Sequence, residues 1–109
     1  MSRLDRRLSE RKPVATFTSN KIDIMNAVAF DQRIDPYTCR VFHALIYFLN
    51  GDNGKCCPSD DLIVALVGGS RKSVYLARIK LRKCGYLDWR KTGRSNRYLF
   101  NYAAAKPTL

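Results

Sequence analysis

The sequence predicts an α+β domain in which helices come first and an antiparallel hairpin comes last. Three observations carry this reading. Residues 36–50 and 71–84 repeat apolar side chains at helical spacing behind capping residues, and each stretch runs into glycine. Residues 86–91 and 97–100 are rich in strand formers and flank the turn-forming run Thr92-Gly93-Arg94-Ser95-Asn96. Between Arg71 and Arg97 stand ten Lys/Arg and one acid, Asp88, which places +9 of the net +11 charge in about a quarter of the chain. A basic helix followed by a basic hairpin predicts a surface for a polyanion, most directly DNA.

The basic helix has clear ends. Gly68-Gly69 breaks what precedes it, and Ser70 is placed to accept from the free amides of the first turn. Val74, Ala77, Leu81 and Cys84 then form one apolar stripe, and Gly85 follows as the expected C′ residue. Arg71 and Lys72 lie in the first turn, where the helix dipole disfavours cations by a few tenths of a kcal/mol. A sequence optimised for stability alone would carry acids there, so these two are expected to contact phosphate or bases. Lys80, Arg82 and Lys83 suit the dipole at the other end and read as a solvated face.

At 109 residues the chain makes one domain, burying roughly 60–65% of its unfolded surface. Its 46% apolar content excludes wholesale disorder, and its apolar runs fall far short of the ~20 residues of a membrane span. No secretory leader opens it, so a cytoplasmic, nucleoid-associated protein is expected. Residues 1–33 read as a basic arm and extension, 34–102 as the domain, and 103–109 as a tail. The first twelve residues carry five bases against two acids, so Arg3, Arg6, Arg7, Arg11 and Lys12 are candidate phosphate contacts or a mere solubilising terminus. Residues 13–30 are mildly apolar and resist assignment. Phe17, Ile22, Ile24 and Met25 are expected to pack on the core or on a partner chain.

Asp35-Pro36 starts a helix expected to reach Asn50, with Gly51-Asp52-Asn53-Gly54 stopping it. Val41, Ala44, Leu45 and Phe48 form its main apolar face, and Phe42, Ile46 and Leu49 widen it beyond half the circumference. Residues 13–30 or a second subunit must cover that surface. Lys55-Cys56-Cys57 is a short strand candidate. Ser59 caps a further helix, Asp60 to Val67, whose Asp60 and Asp61 suit its first turn.

Other chemistries find little support. Cys39, Cys56, Cys57 and Cys84 with His43 raise a zinc reading, since Cys39 and His43 are one helical turn apart. No Cys-x2-Cys pair exists, however, and adjacent Cys56-Cys57 would point to opposite faces of a strand. Buried or incidental thiols are expected, with no metal or other cofactor. Acids are scattered, and Gly68-Gly69-Ser70-Arg71-Lys72 lacks the spacing of a phosphate-binding loop. The chain is expected not to be an enzyme.

The order of elements, with Cys57-Pro58-Ser59, Gly69-Ser70-Arg71-Lys72-Ser73-Val74, Leu81 through Gly85-Tyr86-Leu87, and Gly93-Arg94-Ser95-Asn96-Arg97-Tyr98, resembles a winged helix-turn-helix DNA-binding domain. It is similar to the small modules of prokaryotic, phage and plasmid transcriptional regulators and replication initiators, over about residues 34–100. The resemblance implies a three-helix core with a two- to three-stranded antiparallel wing. It implies a recognition helix, about 71–84, in the major groove, with Arg71, Lys72 and Tyr75 as readers, Ser70 and Ser73 on phosphate, and Arg78 on the same helix. On the wing, Arg94 and Arg97 would meet the minor groove or backbone, with Arg90, Lys91, Ser95 and Asn96 beside them. The chain departs from the family at Arg78, where relatives carry an aliphatic residue, and Tyr75, Leu76 and Ile79 lie off the core stripe. It also carries no effector domain, so no small-molecule effector is expected.

The expected function is sequence-specific duplex binding by a small transcriptional regulator, as a homodimer, because one helix and wing bury too little for high affinity. The alternatives are replication-origin binding, a nucleoid-type architectural protein, RNA binding, or a winged-helix module for protein contacts.

Overall fold

The computed structural model describes residues 17–49, 55–93 and 95–105. The described residues form an α+β body of four helices, a two-stranded antiparallel sheet and a final 3-10 turn, Tyr102–Ala105. The helices are α1 (Phe17–Ala29), α2 (Pro36–Tyr47), α3 (Asp60–Val67) and α4 (Arg71–Lys83); the strands are β1 (Leu87–Thr92) and β2 (Ser95–Phe100). The expected arm contacts Arg3, Arg6, Arg7, Arg11 and Lys12, the Gly51–Gly54 stop, and Arg94 lie outside the described residues.

The stretch that resisted assignment is α1, and it belongs to the core. Ile24 and Val28 are fully buried, Met25 and Ala27 pack beside them, and Ile22 is half exposed. Residues 17–29 are therefore part of the same body, and the boundary drawn at residue 34 cuts through a shared core. Periodicity was a weak signal here because polar Ser19, Asn20, Asp23 and Asn26 interrupt an apolar stripe that spans little more than one turn. The 3-10 turn, expected in part as a tail, packs its Tyr102, Ala104 and Ala105 against this core.

Helix α2 is the central element. Asp35 caps it by accepting from the Thr38 amide at 3.2 Å and the Thr38 hydroxyl at 2.6 Å, and Pro36 opens it. It ends at Tyr47, with Phe48 as C-cap, three residues before the expected Asn50. Val41, Phe42, Ala44, Leu45 and Ile46 are all buried. Phe42 receives the edges of Tyr86 and Phe100 at centroid distances of 6.4 and 5.7 Å, so the sheet packs directly on this helix. The Tyr86 hydroxyl then reaches Asp31 at 2.7 Å, joining the base of the hairpin to the loop after α1. Thus α1, α3 and α4 pack around the wide apolar face of α2, and Tyr86 and Phe100 close it from the side of the hairpin.

The turn between α3 and α4 is sharp. Gly68 adopts φ 83°, ψ −173°, a region closed to residues with a Cβ, and Gly69 has φ 82°. The Tyr37 hydroxyl donates to the Gly68 carbonyl at 2.9 Å, pinning this turn to α2. Helix α4 begins in a capping box: the Ser70 hydroxyl accepts from the Ser73 amide at 3.1 Å and the Ser70 amide donates to the Ser73 hydroxyl at 2.9 Å. It ends as expected at Gly85, φ 86°, where Tyr86 N–H meets Leu81 C=O and Gly85 N–H meets Arg82 C=O, each at 3.0 Å.

The hairpin is tighter than the sequence suggested. Thr92 pairs with Ser95, so strand pairing runs up to the turn itself, and Gly93 there adopts a positive φ. Residues 55–57 do not form a third strand. Cys56 makes a single main-chain bond to the sheet, accepting from Tyr98 N–H at 2.8 Å, and Pro58 ends any further pairing.

Candidate nucleic-acid interface

The candidate surface is the outward face of α4 with the outer face of the hairpin. The inward face of α4 is fixed by Val74, Ala77, Arg78 and Leu81, all buried. A helix rotates about 100° per residue, so the opposite face carries Lys72, Leu76, Ile79 and Lys83, with Tyr75 beside them. Tyr75 and Leu76 are half exposed, and Lys72 and Lys83 are exposed. The sequence placed Tyr75, Leu76 and Ile79 off the core stripe, and the structure agrees.

Arg78 requires a correction. It was grouped with the residues that face DNA, yet it is 4% exposed. Its Nη1 makes an ion pair with Asp60 on α3 and donates to the Tyr98 hydroxyl of β2 at 2.8 Å. The guanidinium also lies 5.7, 5.4 and 5.9 Å from the ring centroids of Tyr75, Trp89 and Tyr98. Burial disfavours its charge, but the Tyr98 and Asp60 oxygens outweigh that and hold the guanidinium firmly protonated. An arginine occupies the aliphatic position because α3 and β2 supply its partners.

Three more cations of α4 are tied to neighbouring elements. Arg71 makes a two-bond contact with Asp61 on α3, Nε to Oδ1 at 2.9 Å and Nη2 to Oδ2 at 2.7 Å, and this contact raises its pKa. Lys80 reaches Asp35 at 2.9 Å. Arg82 lies over the Trp89 ring at 4.2 Å and within 3.8 Å of Asp88. In contrast, Lys72, Lys83, Arg90 and Lys91 are exposed and make no ion pair among the described residues.

The hairpin repeats this pattern. Arg90 sits directly opposite Arg97 in the antiparallel register, with Lys91 opposite Asn96. Two like charges facing each other across a strand pair destabilise it. Arg97 is half buried, and no acceptor reaches its buried Nε among the described residues.

The structure brings some predicted residues together and separates others. Arg71, Ser95 and Asn96 share a hollow of about 330 Å³ with Ser59, Asp60 and Asp61, where the starts of α3, α4 and β2 converge. Ser73 instead faces a second hollow lined by Asp35, Tyr37, Thr38, Leu76, Ala77 and Lys80. Ser70 and Ser73 use their hydroxyls on each other and on the helix start, 2.7 Å apart. Sequence reasoning treated Asp61 only as a dipole partner for α3 and missed its contact with Arg71. Charge alternation ten residues apart across a turn gives no periodic signal for such a pair.

No three His, Cys, Asp or Glu side chains among the described residues are grouped to hold a metal. Cys56 is buried, donates to the Leu45 carbonyl at 3.1 Å, and has its pKa pushed up to about 12 by burial and by neighbouring Cys57. Cys39 lies 3.6 Å from His43 Nδ1, which itself sits 2.8 Å from the Cys39 carbonyl, so the ring serves a local helix contact. Among the described residues no helix is long and apolar enough to cross a membrane. No family model matches the chain, and no curated protein or solved structure matches it.

Proposed function

We propose that this chain is a winged helix-turn-helix protein that binds specific duplex DNA, acting as a small transcriptional regulator. In this reading α3 and α4 are the helix-turn-helix, α4 enters the major groove, and the β1–β2 hairpin is a wing on the flanking backbone or minor groove. The observation that carries it is the sorting of charge. Arg71, Arg78, Lys80 and Arg82 have acidic partners, whereas exposed Lys72, Lys83, Arg90 and Lys91 have none among the described residues. An unneutralised basic face interleaved with Tyr75 and Leu76 suits phosphates around a groove lined by bases and thymine methyls. A homodimer supplies the second half-site that a single helix and wing need for high affinity.

Binding to a duplex of random sequence, followed by fluorescence anisotropy against salt, tests this. Log K should fall with log salt with a slope of several units, about 0.9 per phosphate neutralised. Lys72→Ala and Lys91→Ala should each weaken binding and reduce the slope by roughly 1, Lys91→Ala on all duplexes alike. A flat salt dependence, or equal binding by the double variant, would remove DNA as the partner of this face.

A further inference from the structure

We propose that Asp61 is a positioning residue that makes Arg71 a reader of guanine rather than a phosphate contact; this rests on the DNA-binding reading above. The argument starts from the shape of the guanidinium. Its hydrogens form two usable forks, one on Nε and Nη2 and one on Nη1 and Nη2. Asp61 takes the first fork, at 2.9 and 2.7 Å. The second fork remains, and it is the one that spans two acceptors on a base edge such as O6 and N7 of guanine. Arg71 is the first residue of α4, the end of a major-groove helix nearest the bases.

The pair has little reason to exist for stability. Both side chains are about 70% exposed, at 69% and 71%, and an ion pair between such groups contributes almost nothing to folding. Its effect is on geometry. A free arginine samples many rotamers and neutralises whichever phosphate is nearest. One clamped in its plane by a carboxylate offers two parallel donors in a fixed direction, which loses less freedom on meeting a matching base. The carboxylate also places a negative charge beside the approaching backbone, so it weakens binding to unmatched DNA. Ser95 and Asn96 line the same hollow, which puts the clamp at the junction of helix and hairpin. Asp61 therefore gives up general affinity and raises the ratio between matched and unmatched sites.

Selection of bound duplexes from a random library, with wild type, Asp61→Asn, Arg71→Lys and Arg71→Ala, reads this directly. The side-chain amide of Asn presents one acceptor, so it cannot hold both Nε and Nη2; Lys keeps the charge and loses the fork. Wild type should enrich a motif with an invariant guanine at one position. That preference should fall on the order of tenfold or more in both Arg71 variants. In Asp61→Asn it should fall about threefold while affinity for random duplex rises, and replacing that guanine by 7-deazaguanine should abolish the difference between wild type and Asp61→Asn. A motif unchanged by Asp61→Asn, or one whose guanine survives Arg71→Lys, overturns the clamp and leaves DNA binding standing. Absence of duplex binding by the wild type overturns both. All three side-chain changes are at exposed positions, so the fold is expected to be retained in each variant.

Discussion

The buried arginine offers the sharpest test of how this body holds together. Arg78 is enclosed by α3, β1 and β2, and its carboxylate partner, Asp60, keeps about a third of its surface, 32%, in water. At an effective dielectric of ~20, two unit charges in contact attract by about 4 kcal/mol. Withdrawing the guanidinium from water costs several kcal/mol, so the pair taken whole is close to neutral against an apolar replacement. The two ways of breaking it are therefore unequal. Asp60→Ala strands a buried cation. The full penalty for that is ~3–5 kcal/mol, reduced to about 2–3 because Asp60 is partly hydrated and because Tyr98 and the surrounding ring faces remain. Arg78→Met keeps a stem of similar length and removes the charge. It should cost about 1 kcal/mol or less, mostly for the Tyr98 hydroxyl that loses a donor.

Urea unfolding followed by fluorescence measures both. Trp89 is the single tryptophan and packs beside this guanidinium, so it reports on the right region. The double variant should resemble Arg78→Met, giving a coupling of ~2–3 kcal/mol between the sites, the whole cost of Asp60→Ala. Asp60→Asn, which keeps an acceptor, should fall between. The reasoning fails if Arg78→Met costs more than Asp60→Ala, or if the two costs simply add.

The remaining predictions follow from other local features. Gly69→Ala should destabilise by ~1–3 kcal/mol, because φ 82° disfavours any Cβ and the added atom would lie 2.5 Å from the Tyr37 hydroxyl oxygen; an unchanged melting temperature would refute the strain. Asp31 and Asp35 are held well below the usual carboxylate range, by hydrogen bonds from Arg33 and Tyr86 and from Thr38 and Lys80 respectively. Their folded pKa values lie below the unfolded ones, so the stability they contribute is complete above about pH 4 and is lost as pH falls further. Asp35→Asn should flatten part of that acid slope in urea titrations, and an identical slope would exclude Asp35 as its source. Exposed Cys57 should alkylate with iodoacetamide in the native state, whereas Cys56, buried and with its pKa raised to about 12, should react only on unfolding. Equal rates would mean that the segment opens readily.

The parts of this fold that are legible in the sequence are those written in local chemistry. Caps at Asp35, Ser59 and Ser70 set the starts of three helices, and the stop at Gly85 sets the end of α4, to within a residue or two, because each satisfies its helix's end groups locally. Helix α1 has no described cap of that kind, and its two core residues, Ile24 and Val28, make too short a stripe to announce themselves. The strand expected at 55–57 failed for the opposite reason: strand-like residues were present but the neighbouring chain offered only one bond. At the candidate site, the sequence marks which cations are numerous and cannot mark which are neutralised. Arg71 and Arg78 lie seven residues apart on one helix, and only the position of α3 decides that one is exposed beside Asp61 and the other enclosed with Asp60.

That pairing of consecutive aspartates with two arginines ties α4 to α3 in two places. Asp60 turns inward and anchors α4 to α3 and β2 through Arg78, while Asp61 turns outward and takes hold of Arg71. The acids of the described helix–hairpin region thus lie along the seams between elements, at Asp35–Lys80 and Asp88–Arg82 as well. Each seam fixes α4 against a neighbour, so the helix can carry Lys72 and Lys83 on its open side without acids beside them. The facing Arg90 and Arg97 on the hairpin extend that uncompensated charge onto a second element. Such repulsion weakens an isolated protein and is relieved when a polyanion lies across it.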